Sequence, residues 1–207
     1  MKLTDRYDNE IEYKGNKFFM NLAFDIVLRA YELKSDPNFN NYQRVSIMWE
    51  MFIVNHDEHD VTFEDKNTIV KTIFDHFLEP EKDKEINDDN KTQGQGKPLF
   101  DFEHDAEYIY ASFLQDYKID LFEMQGVLRW EKFLALLSSL KDDTKFKEVI
   151  GIRGQKIPPP TKFNKDERDR IIKLKQIYAL PVASEEVIQS NMNNVLSSLS
   201  ATFKGGR

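Results

Sequence analysis

Residues 121–140 read LFEMQGVLRWEKFLALLSSL, and the spacing of their apolar side chains indicates the class of fold. The residues that recur on one helical face are Leu128, Phe133, Leu136, Leu137 and Leu140. This spacing predicts a buried helix over the whole segment, with Trp130 packed at its edge. The most apolar part, residues 133–140, contains two serines and is much shorter than the roughly 18 residues that a membrane span needs.

Stripes of the same kind lie on both sides of this segment and predict a mainly α protein. In one of them, Ile69, Ile73, Phe74 and Phe77 form the predicted buried face. The predicted helices cover about residues 22–34, 42–54, 63–79, 100–117, 121–140, 144–151 and 165–180. Their predicted N-terminal caps include Asn21, Thr62 in a capping-box pattern with Asp65, and either Asn164 or Asp166.

The N-terminal region differs from the rest, because residues 11–19 alternate apolar and polar positions around Gly15 and Asn16. This pattern predicts a short β-hairpin with a Gly-Asn turn. A hairpin alone is only marginally stable, so we expect it to lean on helices. The predicted fold is therefore a helical, bundle-like protein of one or two lobes with a short N-terminal β-hairpin.

Residues 80–97 differ in composition from the segments around them, since Ile86 is their only aliphatic residue. A segment this polar cannot bury enough surface to order itself. The sequence thus predicts an N-terminal lobe over residues 1–79, a flexible polar linker over 80–98 and a C-terminal lobe over 99–180. Residues 181–207 form a tail that is predicted to be helical or partly disordered.

The charge of the chain is unevenly distributed, although its net value is only −7. Residues 50–120 carry 19 acids against 7 bases, while residues 121–207 carry 15 bases against 10 acids. An acidic middle should repel nucleic acid, whereas the basic end can meet an acidic partner or the middle of a neighbouring copy. The alternative is a pair of solvated faces that differ in charge.

Motifs of enzyme active sites are missing from the sequence. The chain has no cysteine, which excludes a thiol nucleophile or a thiolate metal site. Gly94 and Gly96 lack the following lysine-serine pattern and the preceding strand of a phosphate-binding loop, and no nucleophile elbow occurs. His56 and His59, with carboxylates beside them, are spaced by three rather than four residues and read first as a solvated loop. We therefore expect no enzymatic activity, no cofactor and no metal.

Residues 145–175 form the most basic segment, with ten bases and four acids. Phe146 and Phe163 are the only aromatic residues in this segment, and two are too few for a base-stacking platform. Clustered bases still permit phosphate binding, and the alternative is a solvated helix face beside the Pro158-Pro159-Pro160 break.

The tail carries an apolar stripe at helical spacing and very little charge. Its last members, Val195, Leu196 and Leu199, are the predicted protein-binding residues. The stripe can bind this chain itself, a neighbouring copy or another protein. Serine at these three positions is expected to weaken self-association or partner binding.

Several blocks of the sequence are similar to a known family. The blocks are FDFEHDAEYIYASF at residues 100–113, YKIDL at 117–121, RWEKFLALL at 129–137, LKDDTKF at 140–146 and VIGIR at 149–153. They resemble the siphophage Gp-fifteen family, and the similarity extends more loosely over most of residues 10–180. The recurring residues of these blocks read as packing, turn and helix-stop positions, so the resemblance implies no catalytic residue.

The resemblance implies a place in the tail module of a long-tailed bacteriophage. Members of the family are encoded between the major tail protein and the tape measure, the position of tail assembly chaperones. The expected function is therefore to bind the tape measure protein and other tail proteins in the host cytoplasm, with self-association and without a membrane. Two alternatives are a tail or connector component retained in the virion and a nucleic-acid-binding packaging factor.

Overall fold

The computed structural model describes residues 6–78 and 98–181, together with Thr4. This part of the chain is mainly helical and begins with a two-stranded hairpin, which confirms the predicted fold class. The strands are β1 (Glu10–Tyr13) and β2 (Asn16–Phe19). The helices are α1 (Phe24–Ser35), α2 (Asn41–Phe52), α3 (Phe63–Ile73), α4 (Ala106–Tyr117), α5 (Trp130–Ser138), α6 (Lys145–Gly154) and α7 (Lys165–Ile177).

The chain divides into two compact units, which are described separately below. Unit 1 contains Met1–Lys84 and Gln125–Phe133, and unit 2 contains Glu85–Met124 and Leu134–Arg207. Residues 125–133 thus belong to unit 1, whereas the sequence pattern placed them in the C-terminal lobe. Nearly all of the predicted linker and tail lie outside the described residues, so these two segments remain predictions.

The hairpin has the predicted strands, but its turn lies one residue earlier than expected. Lys14 and Gly15 both have positive φ angles, 50° and 79°, which is the signature of the type I′ turn favoured in two-residue hairpins. Asn16 is therefore a strand residue that pairs with Tyr13. The prediction of a Gly-Asn turn was wrong because glycine serves here as the second central residue rather than the first.

The N-terminal cap of the first helix and the C-terminal end of the second differ from the prediction. Asn21 is not the cap of α1, because its side chain accepts from the Ala23 N–H at 3.1 Å in a turn before the helix. In α2 the cap is Asn40, which forms a reciprocal capping box with Gln43 at 3.0 Å in both directions. The helix ends at Phe52, so Val54 lies beyond it and is 66 % exposed.

A π-helical turn, Phe74–Leu78, continues α3 and changes which residues face the core of unit 1. Such a turn adds a residue to the local repeat and rotates the side chains that follow. Ile69, Ile73 and Phe74 are buried as predicted, but Phe77 is only half-buried and Leu78 takes the core position at 1 % exposure. The prediction for Phe77 assumed an uninterrupted α-helical repeat.

The segment 121–140 is not one helix, and this is the largest correction to the predicted secondary structure. Gly126 has a φ angle of +71°, which is incompatible with an α-helix, and its N–H donates to the buried Asp25 carboxylate at 2.8 Å. The helix begins only at Trp130, whose N–H donates to the Leu22 carbonyl at 2.8 Å. Trp130 is fully buried rather than at the edge, with its ring stacked 5.7 Å from Phe133.

In unit 2, residues 98–105 precede α4. Phe100 and Phe102 are buried there, and the helix starts at Ala106 instead of at residue 100. Ile109 and Phe113 face the core as predicted, and Tyr117 donates its hydroxyl to the Leu136 carbonyl at 2.9 Å. The aromatic pair before α4 thus packs as part of the core without being helical.

Helices α4 and α6 are joined by a buried serine. The Ser112 hydroxyl donates to the Tyr108 carbonyl at 2.6 Å and accepts from the Phe146 N–H at 3.0 Å. The first N–H groups of a helix have no partner within the helix, so this hydroxyl satisfies one of them for α6. Thr144 and Asn164 occupy the positions before α6 and α7 without side-chain cap bonds to those helices.

Asp65 connects the hairpin to α3 within unit 1. Its Oδ1 atom accepts from the Lys14 Nζ at 2.8 Å and from the Tyr13 hydroxyl at 3.0 Å. The Thr62 hydroxyl caps α3 by accepting from the Asp65 N–H at 3.3 Å, so half of the predicted capping box forms. The hydrogen bonds from Lys14 and then Thr62 hold the pKa of Asp65 below its usual value of 3.8.

The lowered pKa of Asp65 predicts an acid-dependent loss of stability. Its contribution is present above the unfolded-state value near 3.8 and disappears as the pH falls through the lower folded-state pKa. Lys14 shows the opposite sign, because its raised pKa adds stability that is lost only as the pH rises above 10.5. We expect Asp65→Asn to flatten the decline in urea midpoint below about pH 4. Parallel wild-type and variant curves across the acid range would contradict the link.

Candidate interaction surfaces

The two histidines of the loop after α2 have different neighbours. His56 Nδ1 lies 2.8 Å from Asp57 Oδ1, whereas the His59 ring packs edge-on against Phe18 at 5.2 Å. Within residues 6–78 and 98–181, no group of three or more histidine or carboxylate side chains is arranged to hold a metal ion. Of the two histidines, His59 contacts the hairpin through Phe18.

Half of the bases in residues 145–175 are engaged inside unit 2. Lys145 donates to the Tyr178 hydroxyl at 2.8 Å, Lys147 to the Ser138 carbonyl at 3.0 Å, and Arg168 to the Pro158 carbonyl. Burial lowers the pKa of Lys147 and of Lys175, as expected for ammonium groups drawn away from water. A basic segment used in this way presents fewer free charges to a phosphate backbone than its sequence suggests.

Arg153 and Asp105 form the most buried ion pair that the described residues show. Two guanidinium nitrogens contact the two carboxylate oxygens at 2.5 and 2.8 Å, and the side chains are 7 % and 0 % exposed. The remaining guanidinium bonds go to the Leu99 and Tyr178 carbonyls, at 3.0 and 2.5 Å. With the polar atoms satisfied and enclosed, this pair holds unit 2 together and is not accessible to a ligand.

An apolar pair on unit 1, which we call the hairpin surface, consists of Phe19 and Val54. The bridge between Met20 and Ile53 places these two residues opposite each other, and the Val54 N–H donates to the Phe19 carbonyl at 2.8 Å. Opposite residues of paired strands share one face, so the two side chains stand together. They are 46 % and 66 % exposed, whereas Met20 and Ile53 on the other face are buried.

The hairpin surface is held in place by Asn55. Its side-chain oxygen accepts from the Phe19 N–H at 2.9 Å, and its amide nitrogen donates to the Lys17 carbonyl at 3.0 Å. Asn55 thereby satisfies the outer edge of β2, which would otherwise be open to pairing with another strand. The exposed Phe19 ring and Val54 methyl groups consequently project from a backbone that is held in place by hydrogen bonds.

A second apolar patch lies on unit 2, and we call it the α4 surface. It consists of Glu107, Tyr110 and Leu114 along α4, together with Phe122 from the turn that follows. Leu114 is 42 % and Phe122 70 % exposed, and the Tyr110 and Phe122 rings lie 5.2 Å apart. Glu107 adds an exposed carboxylate one helical turn before Tyr110.

Asp120 fixes the aromatic part of the α4 surface. One carboxylate oxygen accepts from the Phe122 N–H at 2.9 Å, and the other accepts from the Tyr110 hydroxyl at 3.3 Å. Partial burial and then the charge of Asp120 raise the pKa of Tyr110, with a smaller effect from Glu123. The patch is therefore both preformed and surrounded by negative potential.

The sequence interpretation identified neither of these surfaces. Its predicted binding residues, Val195, Leu196 and Leu199, lie outside the described residues, so their role remains a prediction. A helix over the whole of residues 121–140 also hid Phe122 within a regular repeat. The signal available for it was Asp120 two residues earlier, since an aspartate often accepts from the backbone two residues on.

Fold and surfaces together define a mainly helical protein whose described residues offer contact surfaces rather than a metal centre. A family profile described as Bacteriophage Gp15 protein matches residues 3–180, and the chain belongs to that family. It is therefore a bacteriophage protein, in agreement with the resemblance seen in its sequence blocks. No curated protein and no solved structure matches the chain. None of the described helices has both the length and the apolar character needed to cross a membrane.

Proposed function

We propose that the chain is a tail assembly chaperone that binds the tape measure protein in the host cytoplasm and catalyses no reaction. The observation that carries this proposal is the hairpin surface, where Phe19 and Val54 stand exposed on a backbone fixed by Asn55. Apolar side chains that stand together in water, unlike those exposed singly, are a mark of protein-binding sites. A long helical client has apolar faces of the kind that such a surface can cover.

Family membership supports the bacteriophage context, and the resemblance to tail-module proteins supports the choice of client. A chaperone of this kind needs affinity for many similar segments rather than one deep pocket. Multiple weak contacts along one client chain gain strength from avidity.

The test is co-expression of the chain with the tape measure protein of the same phage. Wild-type protein is expected to keep the tape measure soluble and to co-purify with it. The double substitution Phe19→Ser and Val54→Ser should weaken co-purification by about tenfold or more, since anchors of this type each contribute on the order of 1–2 kcal/mol. The readout is the amount of tape measure retained per copy of this protein.

Val127→Ser is the matched control, because Val127 is 71 % exposed in the same unit but is not part of the hairpin surface. It should leave co-purification unchanged. Wild-type protein that neither binds nor solubilises the tape measure rules out the function. Equal losses in the control and the double variant would show that Phe19 and Val54 are not the contact.

A structural component retained in the virion would use the same exposed residues. Mass spectrometry of purified particles separates the two cases, since an abundant copy number in mature virions favours the structural component. Binding to DNA that weakens with added salt would favour the packaging factor instead.

A further inference from the structure

Unit 2 carries a basic counterpart to the α4 surface, and we call it the α7 surface. It consists of Arg170, Lys173 and Ile177, which are all exposed, with Ile177 62 % accessible. Within the described part of the chain, neither Arg170 nor Lys173 takes part in a salt bridge or a side-chain hydrogen bond. These two charges are therefore available, unlike those of Arg153, Arg168 and Lys175.

The two surfaces match in spacing and in chemistry. Glu107, Tyr110 and Leu114 on α4 stand at positions i, i+3 and i+7, and so do the three residues of the α7 surface. Seven residues of helix extend over about 10 Å, so both stripes have the same length. Each begins with a charge and ends with an aliphatic side chain, and the charges are of opposite sign.

We propose that the α7 surface of one copy packs on the α4 surface of a second copy, with the two helices parallel. Arg170 then faces Glu107, Lys173 faces the Tyr110 ring, and Ile177 packs against Leu114 and Phe122. The three contacts are a charge pair, a cation–π contact and an apolar contact. An antiparallel arrangement would place Ile177 against Glu107 and Arg170 against Leu114, and would lose the charge pair and the apolar contact.

The charges of the surrounding segments support contact between unlike surfaces. Residues 98–124 carry seven acids and one base, whereas residues 156–178 carry seven bases and three acids. Two α4 surfaces brought together would oppose the carboxylate of Glu107 and that of the adjacent Glu123 to those of the other copy, and would repel each other. Complementary segments on one unit favour a neighbouring copy over an uncharged occupant such as the tail stripe.

Preorganisation lowers the cost of this contact. The hydrogen bonds of Asp120 hold Phe122 and Tyr110 in place before any partner arrives. Side chains that are already ordered lose less conformational freedom on binding. The exposed Phe122 ring thus acts as an anchor that needs no rearrangement.

The first experiment measures association by sedimentation equilibrium with two full-length variants. One variant, Leu114→Ser with Phe122→Ser, disables the α4 surface, and the other, Lys173→Ser with Ile177→Ser, disables the α7 surface. Wild-type protein is expected to associate as its concentration rises, and each variant alone is expected to remain monomeric. An equimolar mixture should form dimers, because one intact surface of each kind remains.

The second experiment exchanges one pair of charges. Glu107→Arg and Arg170→Glu should each weaken association by about tenfold, because each places like charges against one another. Both substitutions in the same chain should restore most of it, since the pair is rebuilt with the signs reversed. Glu50→Arg, at an exposed position of unit 1, is the matched charge reversal and should leave association unchanged.

Any one of three results would overturn the proposal. Wild-type protein that stays monomeric throughout, or a mixture no heavier than its separate variants, would show that the surfaces do not meet. Association that survives both surface variants but disappears on replacing Val195, Leu196 and Leu199 with serine would identify the tail as the occupant. Neither measurement involves the tape measure protein, so the result is independent of the proposed chaperone function.

Discussion

Replacing Arg153 with methionine is expected to lower the free energy of unfolding by about 3–5 kcal/mol, which is the usual cost of removing one partner of a buried ion pair. The Asp105 carboxylate is fully buried and would lose both of its guanidinium contacts. The Leu99 and Tyr178 carbonyls would lose their donors as well. Denaturant unfolding followed by circular dichroism measures the loss.

A second substitution separates the lost charge partner from lost packing. Asp105→Asn in the Arg153→Met background removes the unpaired negative charge. It keeps a side-chain oxygen that can accept from the Asp101 N–H, which in the wild type donates to the Asp105 carboxylate at 3.0 Å. The double variant should therefore be more stable than Arg153→Met alone, although less stable than wild type. Arg153→Lys should also be destabilised, because an ammonium cannot make the paired contacts of a guanidinium. A loss below about 1 kcal/mol in Arg153→Met would refute the role given to the pair.

This buried pair also shows what the sequence pattern conveys and what it omits. Ile109 and Phe113 could be assigned to the core of unit 2 because their spacing repeats with the helix. The pairing of Arg153 with Asp105 joins positions 48 residues apart, and no local pattern specifies which acid a given base will meet. The basic segment consequently appeared as a solvated or phosphate-binding face, although several of its members serve the interior.

Errors in the predicted secondary structure have equally specific causes. Helical periodicity alone continued through Gly126, whose positive φ is stabilised by a bond to Asp25, 101 residues away. The same periodicity also predicted that Phe77 faces the core. This was wrong because a π-helical turn leaves no clear mark in the spacing of apolar residues. The hairpin turn was displaced by one residue because both Lys14-Gly15 and Gly15-Asn16 satisfy the composition of a tight turn.

Candidate surfaces are harder to predict than cores, because exposure depends on what the rest of the fold leaves uncovered. Leu114 and Phe122 are as apolar as their buried neighbours, and the sequence treats them alike. The same is true of Phe19, which follows a fully buried phenylalanine. Once the backbone is known, these residues become the strongest candidates for contacts with other proteins. The structure also shows that the exposed acidic residue Glu107 lies on α4 and that exposed basic residues lie on α7.

Trp130→Ala is the second substitution with a large expected effect, at about 3–5 kcal/mol, because it removes a whole indole from a closed core. The ring is fully buried and stacks on Phe133, which in turn stacks on Phe24 at 4.9 Å. The transfer energy of the lost ring and the cavity left behind both contribute. Trp130→Phe should cost less, since a smaller aromatic ring keeps part of the stack.

Trp130→Ala tests directly whether Trp130 lies at the edge of the helix, as the sequence predicted, or in the core, as the structure shows. A tryptophan at the edge of a helix would lose little on truncation, whereas a fully buried one loses several kcal/mol. Phe122→Ala is the matched control, because Phe122 is also aromatic but 70 % exposed, and it should change stability by less than about 0.5 kcal/mol. Hydrogen exchange at the Phe24 and Trp130 amides, both of which donate within unit 1, reports the loss where it occurs. Similar unfolding free energies for Trp130→Ala and Phe122→Ala would favour the edge position and contradict the packing of unit 1 described above.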